Sequence, residues 1–194
     1  MNKIDIINIA LNRIGAAPIA SMEEASQTAR VVKSCYDFTR QNLLRKYPWG
    51  FATRRNKLAQ LEYKPEDYRF SYRYPGEVLY LRKICTPYGK DDVTYKIASD
   101  KTGKVIYTDI AEAVIEYTAD IQDCTLFDSQ FVEALAWKLA AEIAFTITGD
   151  IKIAQAAVQA YNAYLAEARG EDAKEDNEHR TIDNRLVDAR WTGA

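Results

Sequence analysis

The chain has 194 residues, of which 47% are hydrophobic and 28% are charged, with a formal net charge of -2 at pH 7 and a pI near 5.6. This composition is ordinary for a globular protein that buries its own core, and it excludes wholesale disorder. The slightly acidic balance disfavours a dedicated nucleic-acid binder, which would concentrate Lys and Arg on one face. The 13 tyrosines are compatible with extensive interfaces as well as with strands.

The start of the chain predicts a short helix followed by a break. Ile4, Ile7, Leu11 and Ile14 recur at helical spacing, and Gly15 stands where a C-terminal cap belongs. The proline three residues later prevents the helix from continuing.

A second, longer helix is predicted next. Ser21 and Glu24 have the spacing of a capping box, which predicts that the helix begins there. Pro48 ends it, because the residue before a proline is displaced from the helical region. Trp49 and Phe51 then form a predicted aromatic plug at the helix end. The apolar seam of this helix, at spacings of three and four, consists of Ala25, Ala29, Val32, Tyr36, Thr39 and Leu43.

The middle of the chain predicts a small antiparallel sheet. Tyr68, Phe70, Tyr72 and Tyr74 alternate with polar residues, which is the pattern of a strand with one aromatic face. No helical period separates the predicted strands, so they form an inserted module rather than βαβ units. The further strands are predicted at residues 78–84, 93–97, 104–108 and 114–117.

Two more helices are predicted after this module. Residues 131–148 are nearly all apolar, and the three charges among them make a membrane span costly, so they predict the central helix of a bundle with Asp128 as its N-cap. A second amphipathic helix, rich in alanine, is predicted from residue 154 to its end at Gly170.

The last 24 residues are charged and lack a period. Ile182, Leu186 and Trp191 keep a sparse apolar pattern within residues 171–194. We predict that this tail is disordered alone and orders when it docks on a partner.

The predicted fold class is therefore mainly α with a small antiparallel β module: a helical bundle with an inserted β-sheet and an extended C-terminal tail. The predicted parts are residues 1–66 for the N-terminal helices, 67–118 for the β module, 119–170 for the C-terminal helices and 171–194 for the docking tail.

The sequence predicts neither a metal site nor a disulfide framework. Cys35, Cys85 and Cys124 are widely separated, and His179 is the one histidine in the sequence. Asp5 interrupts the first apolar run, which a signal peptide would not require. We expect a reduced cytosolic product without a membrane anchor.

Pairs of glutamates are the nearest approach to catalytic chemistry, because glycoside cleavage needs two acids at a defined separation. Glu133 and Glu142 lie about 180° apart on a helix and cannot flank one bond. Glu23 and Glu24 stand at a predicted helix start, where carboxylates offset the helix dipole. No catalytic residue and no cofactor is predicted.

Interface candidates are the remaining possibility. The aromatic strand could stack bases, but its tyrosines and arginines point to opposite faces and cannot line one groove. Packing in the core or at an interface is therefore favoured for it. The predicted interface residues are Tyr68, Phe70, Tyr72, Tyr74, Ile182, Leu186 and Trp191.

Several short motifs follow one another in a specific order along residues 4–170. They are the turn I-G-x-x-P-I at residues 14–19, the small and polar residues 24–29, Tyr36 with Arg40 and Leu43, W-x-F at residues 49–51, Y-x-Y-P-x-E-x-L at residues 72–79, and an acidic-capped, alanine-rich helix at residues 127–144. This ordered set resembles the tail tubular protein A family, the ring-forming head-to-tail adaptors of short-tailed bacteriophages. The family often has an aliphatic residue where Tyr74 stands and Asp where Glu77 stands.

The resemblance implies a structural protein of the virion tail, made in the cytoplasm of a bacterial host. It implies a ring of twelve copies between the portal protein and the tail nozzle protein, with the isolated chain able to remain a monomer. Double-stranded DNA would pass through the ring during packaging and ejection. The alternative is a peptidoglycan-cleaving phage accessory enzyme, and a third class is a bacterial scaffolding or regulatory module unrelated to phage.

Overall fold

The computed structural model describes residues 1–63, 65–86 and 93–166. Its helices are α1 (Lys3–Arg13), α2 (Gln27–Lys46), α3 (Ser129–Thr148) and α4, which is described from residue 151 to residue 166. Its strands are β1 (Thr53–Lys57), β2 (Phe70–Arg73), β3 (Val78–Cys85), β4 (Tyr95–Asp100), β5 (Gly103–Thr108) and β6 (Val114–Ala119).

The predicted fold class was wrong. The described residues form four α-helices and six antiparallel strands, in one sheet of order β1-β6-β3 and another of order β2-β5-β4. The described residues therefore form a mixed α/β structure, with more residues in helices than in strands, and not a helical bundle with a small insert. The sequence prediction missed β1, whose polar sequence Thr-Arg-Arg-Asn-Lys carries no apolar alternation. The predicted tail, residues 171–194, lies outside the described residues.

The chain divides into two compact units. The first contains residues 1–36 together with residues 129–166, and the second contains residues 37–128. Helix α2 contributes its first ten residues to one unit and its last ten to the other. The boundaries predicted after residues 66 and 118 both fall inside the second unit.

The first unit is built on the pairing of α1 with α3. Asn2 and Asp5 form a capping box at the start of α1, and Gly15, with φ of 69°, follows its end as predicted. A polar contact joins the two helices, because the Arg13 guanidinium lies 4.1 Å from the Trp137 ring and pairs with the Glu133 carboxylate. The residues of α1 and α3 that are fully buried include Ile6, Ile7, Leu11, Phe131, Leu135, Leu139 and Ile143.

Helix α2 begins later than its capping box predicted. Its first residue is Gln27, and the Ser26 hydroxyl accepts the Ala29 N–H at 3.1 Å. The Glu24 carboxylate accepts the Ala20 N–H at 3.0 Å, so it holds the preceding loop instead of closing a box with Ser21. Ser26 caps the helix although Ala29, and not Glu or Gln, stands three residues after it, so the capping-box pattern of Ser21 and Glu24 did not locate the helix start.

The second unit places its two sheets around a shared core. The β module was predicted with nearly correct strand positions, although not with its division into two sheets. β6 lies between β1 and β3, and β5 lies between β2 and β4. One cluster of buried core residues in this unit consists of Leu58, Tyr72, Val78, Leu81, Ile84, Ile106, Ala113, Ile115 and Tyr117.

A buried arginine ties α2 to the end of β6 within this unit. Arg40 is only 1% exposed, and its Nη1 donates both to the Asp120 carboxylate and to the Ile121 carbonyl, the latter at 2.6 Å. Gln41 Nε2 donates to the other Asp120 oxygen at 2.9 Å. Asp37 Oδ1 lies 3.6 Å from Arg40 Nε. The guanidinium is thus held by charge and by carbonyl oxygen together, as a buried cation requires.

We predict that Arg40→Ala lowers the free energy of unfolding by about 3 kcal/mol, because it leaves the half-buried Asp120 without its cation. Chemical denaturation monitored by circular dichroism measures this. The matched control is Arg55→Ala, which removes a largely exposed arginine 3.9 Å from Glu116 and should cost less than about 1 kcal/mol. Equal losses in the two variants would contradict the role of Arg40.

We also predict that the contribution of Asp120 depends on pH. Burial opposes its ionisation, but the hydrogen bonds from Arg40 and Gln41 outweigh burial and hold the pKa of Asp120 below its ordinary value of 3.8. A carboxyl whose pKa is lowered by folding stabilises the folded state above its unfolded pKa, and that contribution disappears as pH falls through the folded pKa. The stability difference between wild type and Asp120→Asn should therefore be constant at neutral pH and shrink below about pH 4. A difference that grew on acidification would contradict this.

Candidate functional site

The aromatic strand lies partly in the core of the second unit. Tyr72 is 1% exposed, and its hydroxyl donates to the Ile110 carbonyl at 2.7 Å. Phe70 and Tyr74 are half-buried against the same core, while the ring of Tyr68 lies 6.2 Å from that of Tyr107. Ser71, on the other face of the strand, is also buried. Within the chain, these aromatic residues therefore pack together, and Tyr68, Phe70 and Tyr74 keep part of their surface exposed.

The other three predicted interface residues, Ile182, Leu186 and Trp191, lie outside the described residues.

Three of the four glutamates considered for catalysis are ion-paired, and the fourth, Glu24, accepts the Ala20 N–H. Glu133 pairs with Arg13, Glu142 lies 3.2 Å from Lys138, and Glu23 lies 2.7 Å from Lys33. Each of these carboxylates therefore has a cation that accounts for its position.

Other chemistry is equally sparse in the part of the chain that the structure describes. No group of three His, Cys, Asp or Glu side chains there is placed to hold a metal ion. The three cysteines are free thiols. Among the described helices, none combines the length and the apolar character needed to cross a membrane.

Helix α4 presents the most distinctive surface of the first unit. Asp150 accepts the Lys152 N–H at 2.7 Å and so caps the start of the helix. Ala157, Tyr161 and Leu165 are buried on one side of it. Lys138 of α3 lies 5.5 Å from the Tyr161 ring, which brings this side of α4 against α3.

The opposite side of α4 faces solvent and carries no charge beyond Lys152, an exposed residue in the first turn of the helix. Residues 153–166 contain no Asp, Glu, Lys, Arg or His. Ile151 and Val158 on this side are 56% and 44% exposed. We call this surface the uncharged face and define it by Ile151, Gln155, Val158, Gln159 and Asn162, all of them exposed and within one helical stripe.

The uncharged face has the composition of a protein interface. The centre of an interface is depleted of charged residues relative to the rest of the surface, whereas a solvated helix face is normally charged. A shallow depression of about 500 Å³ lies along it, lined by Ile151, Ala154, Gln155, Val158 and Gln159. Small residues and amides permit a second helix to approach closely and to form hydrogen bonds. The composition of this surface therefore suits contact with another polypeptide.

The sequence prediction missed this surface. It assigned α4 an amphipathic pattern and noted that its alanines allow close packing, but it did not examine the polar side of the helix. The sequence feature that indicates this surface is the absence of charged residues from residue 153 to residue 166, because the solvent-exposed face of a helix is normally charged.

No family model matches the chain, and no curated protein matches it at a significant level.

Proposed function

We propose that the chain is a structural protein of a bacteriophage tail that forms the head-to-tail adaptor ring between the portal and the tail nozzle. The observation that carries this proposal is the uncharged face of α4, which favours association with another polypeptide. The ordered motifs along residues 4–170 favour a head-to-tail adaptor over other assemblies, because they resemble those of the tail tubular protein A family.

In the proposed ring, the uncharged face contacts a neighbouring copy of the chain. A ring is a heterologous assembly, in which a surface on one copy meets a different surface on the next. Burying Ile151 and Val158 removes aliphatic surface from water, and the alanines of α4 allow close approach. Because the face has no charge, its burial carries no cost for desolvating unpaired ions.

Twelve copies would enclose a channel for double-stranded DNA during packaging and ejection. The formal net charge of -2 is compatible with passing contact and disfavours tight binding along the DNA backbone. The protein would be made in the bacterial cytoplasm and would function in the virion tail. In isolation it could remain a monomer that assembles on the portal.

We predict that Val158→Lys prevents ring formation on the cognate portal, because every interface would then bury an unpaired ammonium. Such a buried charge costs several kcal/mol per contact. Electron microscopy and mass photometry of the protein mixed with portal measure the assembly. Val158 is exposed, so the fold of the variant should be unchanged, which a thermal melt checks.

The matched control is Thr146→Lys, which adds the same charge at an exposed position of α3. It should assemble as wild type does. Rings formed as readily by Val158→Lys as by wild type would contradict the interface, and the absence of any ring with wild type and portal would contradict the proposed function.

We further predict that the purified protein gives no clearing zone in a peptidoglycan zymogram. The expectation follows from the ion-paired state of Glu23, Glu133 and Glu142. Clearing by wild type that is lost in Glu133→Gln, with the fold retained, would establish the enzyme alternative instead.

A further inference from the structure

The second unit contains a cleft in which cations meet tyrosines. It has a volume of about 240 Å³ and is formed by the end of α2, strands β3 and β4, and the start of β5. Arg45 and Lys104 supply its charges, and Tyr74, Tyr80 and Tyr95 supply its aromatic walls. We call it the tyrosine cleft. No carboxylate is among the residues that line it.

The two cations are held by neutral groups. Arg45 Nη1 donates to the Leu79 carbonyl at 2.8 Å, and its guanidinium carbon lies 5.3 Å from the Tyr80 ring centroid. Lys104 Nζ lies 5.4 Å from the Tyr74 ring centroid. Carbonyl oxygens and aromatic faces orient a cation but leave its net charge uncompensated.

A third cation, Arg82, lies beside the Tyr80 wall of the cleft without being among the residues that line it. The Arg82 guanidinium lies 4.6 Å from the Tyr80 ring, which Arg45 also approaches. Burial lowers the pKa of Arg82; Tyr80 acts against this shift, and the charge of Arg45 acts with it. Among the described residues, no carboxylate is within ion-pair distance of Arg45, Arg82 or Lys104.

Other cations of the same unit do have carboxylate partners. Arg40 pairs with Asp120, Arg73 with Asp100, Lys57 with Glu112, and Lys83 with Glu116. Arg45, Arg82 and Lys104 differ from these four cations, because no ion pair joins them to a carboxylate among the described residues.

Tyr74 adds a neutral hydrogen-bond donor beside these charges. Burial raises the pKa of Tyr74 above its ordinary value of 10.0, while the Arg45 charge acts in the opposite direction. Its phenol therefore keeps its proton at neutral pH. Cations with a phenolic donor in a partly enclosed cleft form a set that binds an oxyanion.

The volume and the lining residues of the cleft favour a carboxylate over a phosphate as its ligand. Pockets for nucleotides and other small molecules usually exceed about 300 Å³. The tyrosine cleft is smaller, and Val78, Leu81 and Ile97 give it an aliphatic part. That combination suits a glutamate side chain, whose two methylenes precede its carboxylate, better than it suits a phosphate.

From this geometry we infer that the tyrosine cleft binds the carboxylate side chain of an acidic peptide segment on a partner protein, with Arg45 and Lys104 as its cationic ligands. The inference does not depend on ring assembly, since it concerns a separate unit and a separate surface.

The test is a titration of the full chain with a capped oligoglutamate peptide, followed by backbone amide chemical shifts in NMR spectra. Shifts should concentrate at Leu79, Tyr80 and Ile97, and the capped oligoglutamine peptide should cause none. Lys104→Gln should weaken binding about tenfold, the effect of losing one charge-assisted contact. Arg45→Gln should also weaken binding. If Arg45→Gln is unstable, Lys104→Gln still tests the inference.

The matched control is Lys96→Gln. Lys96 lies on β4 between Tyr95 and Ile97, is exposed, and points to the opposite face of the strand. The Lys96→Gln substitution removes one positive charge, as Lys104→Gln does, and should leave peptide binding unchanged. Binding that falls equally in Lys96→Gln and Lys104→Gln would overturn the inference, because the attraction would then be general.

Inorganic phosphate serves as the second arm. Dependence of oligoglutamate binding on Lys104 supports the inference, and phosphate is then expected only as a weaker competitor. Phosphate that shifts the same amides while oligoglutamate leaves them unchanged would overturn it, as would an absence of shifts with either.

Discussion

The buried guanidinium of Arg40 is the constraint on which the second unit depends. A cation removed from water must find several oxygen partners in fixed positions, and Asp120 and the Ile121 carbonyl provide them just after β6. Arg82 lies on β3, the strand beside β6, and donates to the Leu44 and Tyr47 carbonyls at the end of α2. These two arginines fix the position and the axial register of the last turns of α2 against β6 and β3.

Much of this arrangement was accessible from the sequence because it is locally encoded. The alternation around Tyr72 predicted β2, and Pro48 predicted the end of α2 at Lys46. Strand pairing was not accessible, because β2 joins β5 and β3 joins β6 across distant parts of the chain. The hydrophobic pattern gives the face that a strand buries and does not name the strand beside it. The division into two sheets, and with it the fold class, therefore escaped prediction.

The candidate sites differ in how visible they were. The tyrosine surplus directed attention to β2, yet Tyr72 satisfies its hydroxyl inside the core, as a buried tyrosine generally does. The uncharged face could be recognised in the sequence from the absence of charged residues along residues 153–166 of α4. The tyrosine cleft could not be predicted from the sequence, because Arg45, Tyr80 and Lys104 are far apart in sequence and meet only through the strand pairing.

The two proposed surfaces would recognise partners by different physics. Association through the uncharged face depends on removing aliphatic and amide groups from water, which salt affects little. Binding at the tyrosine cleft depends on charge, which is screened over about 8 Å at physiological ionic strength. A protein with both surfaces could exchange partners at the cleft as ionic conditions change, while its association through Ile151 and Val158 persisted. Placing the surfaces on separate units allows each interaction to be altered by substitution without altering the other.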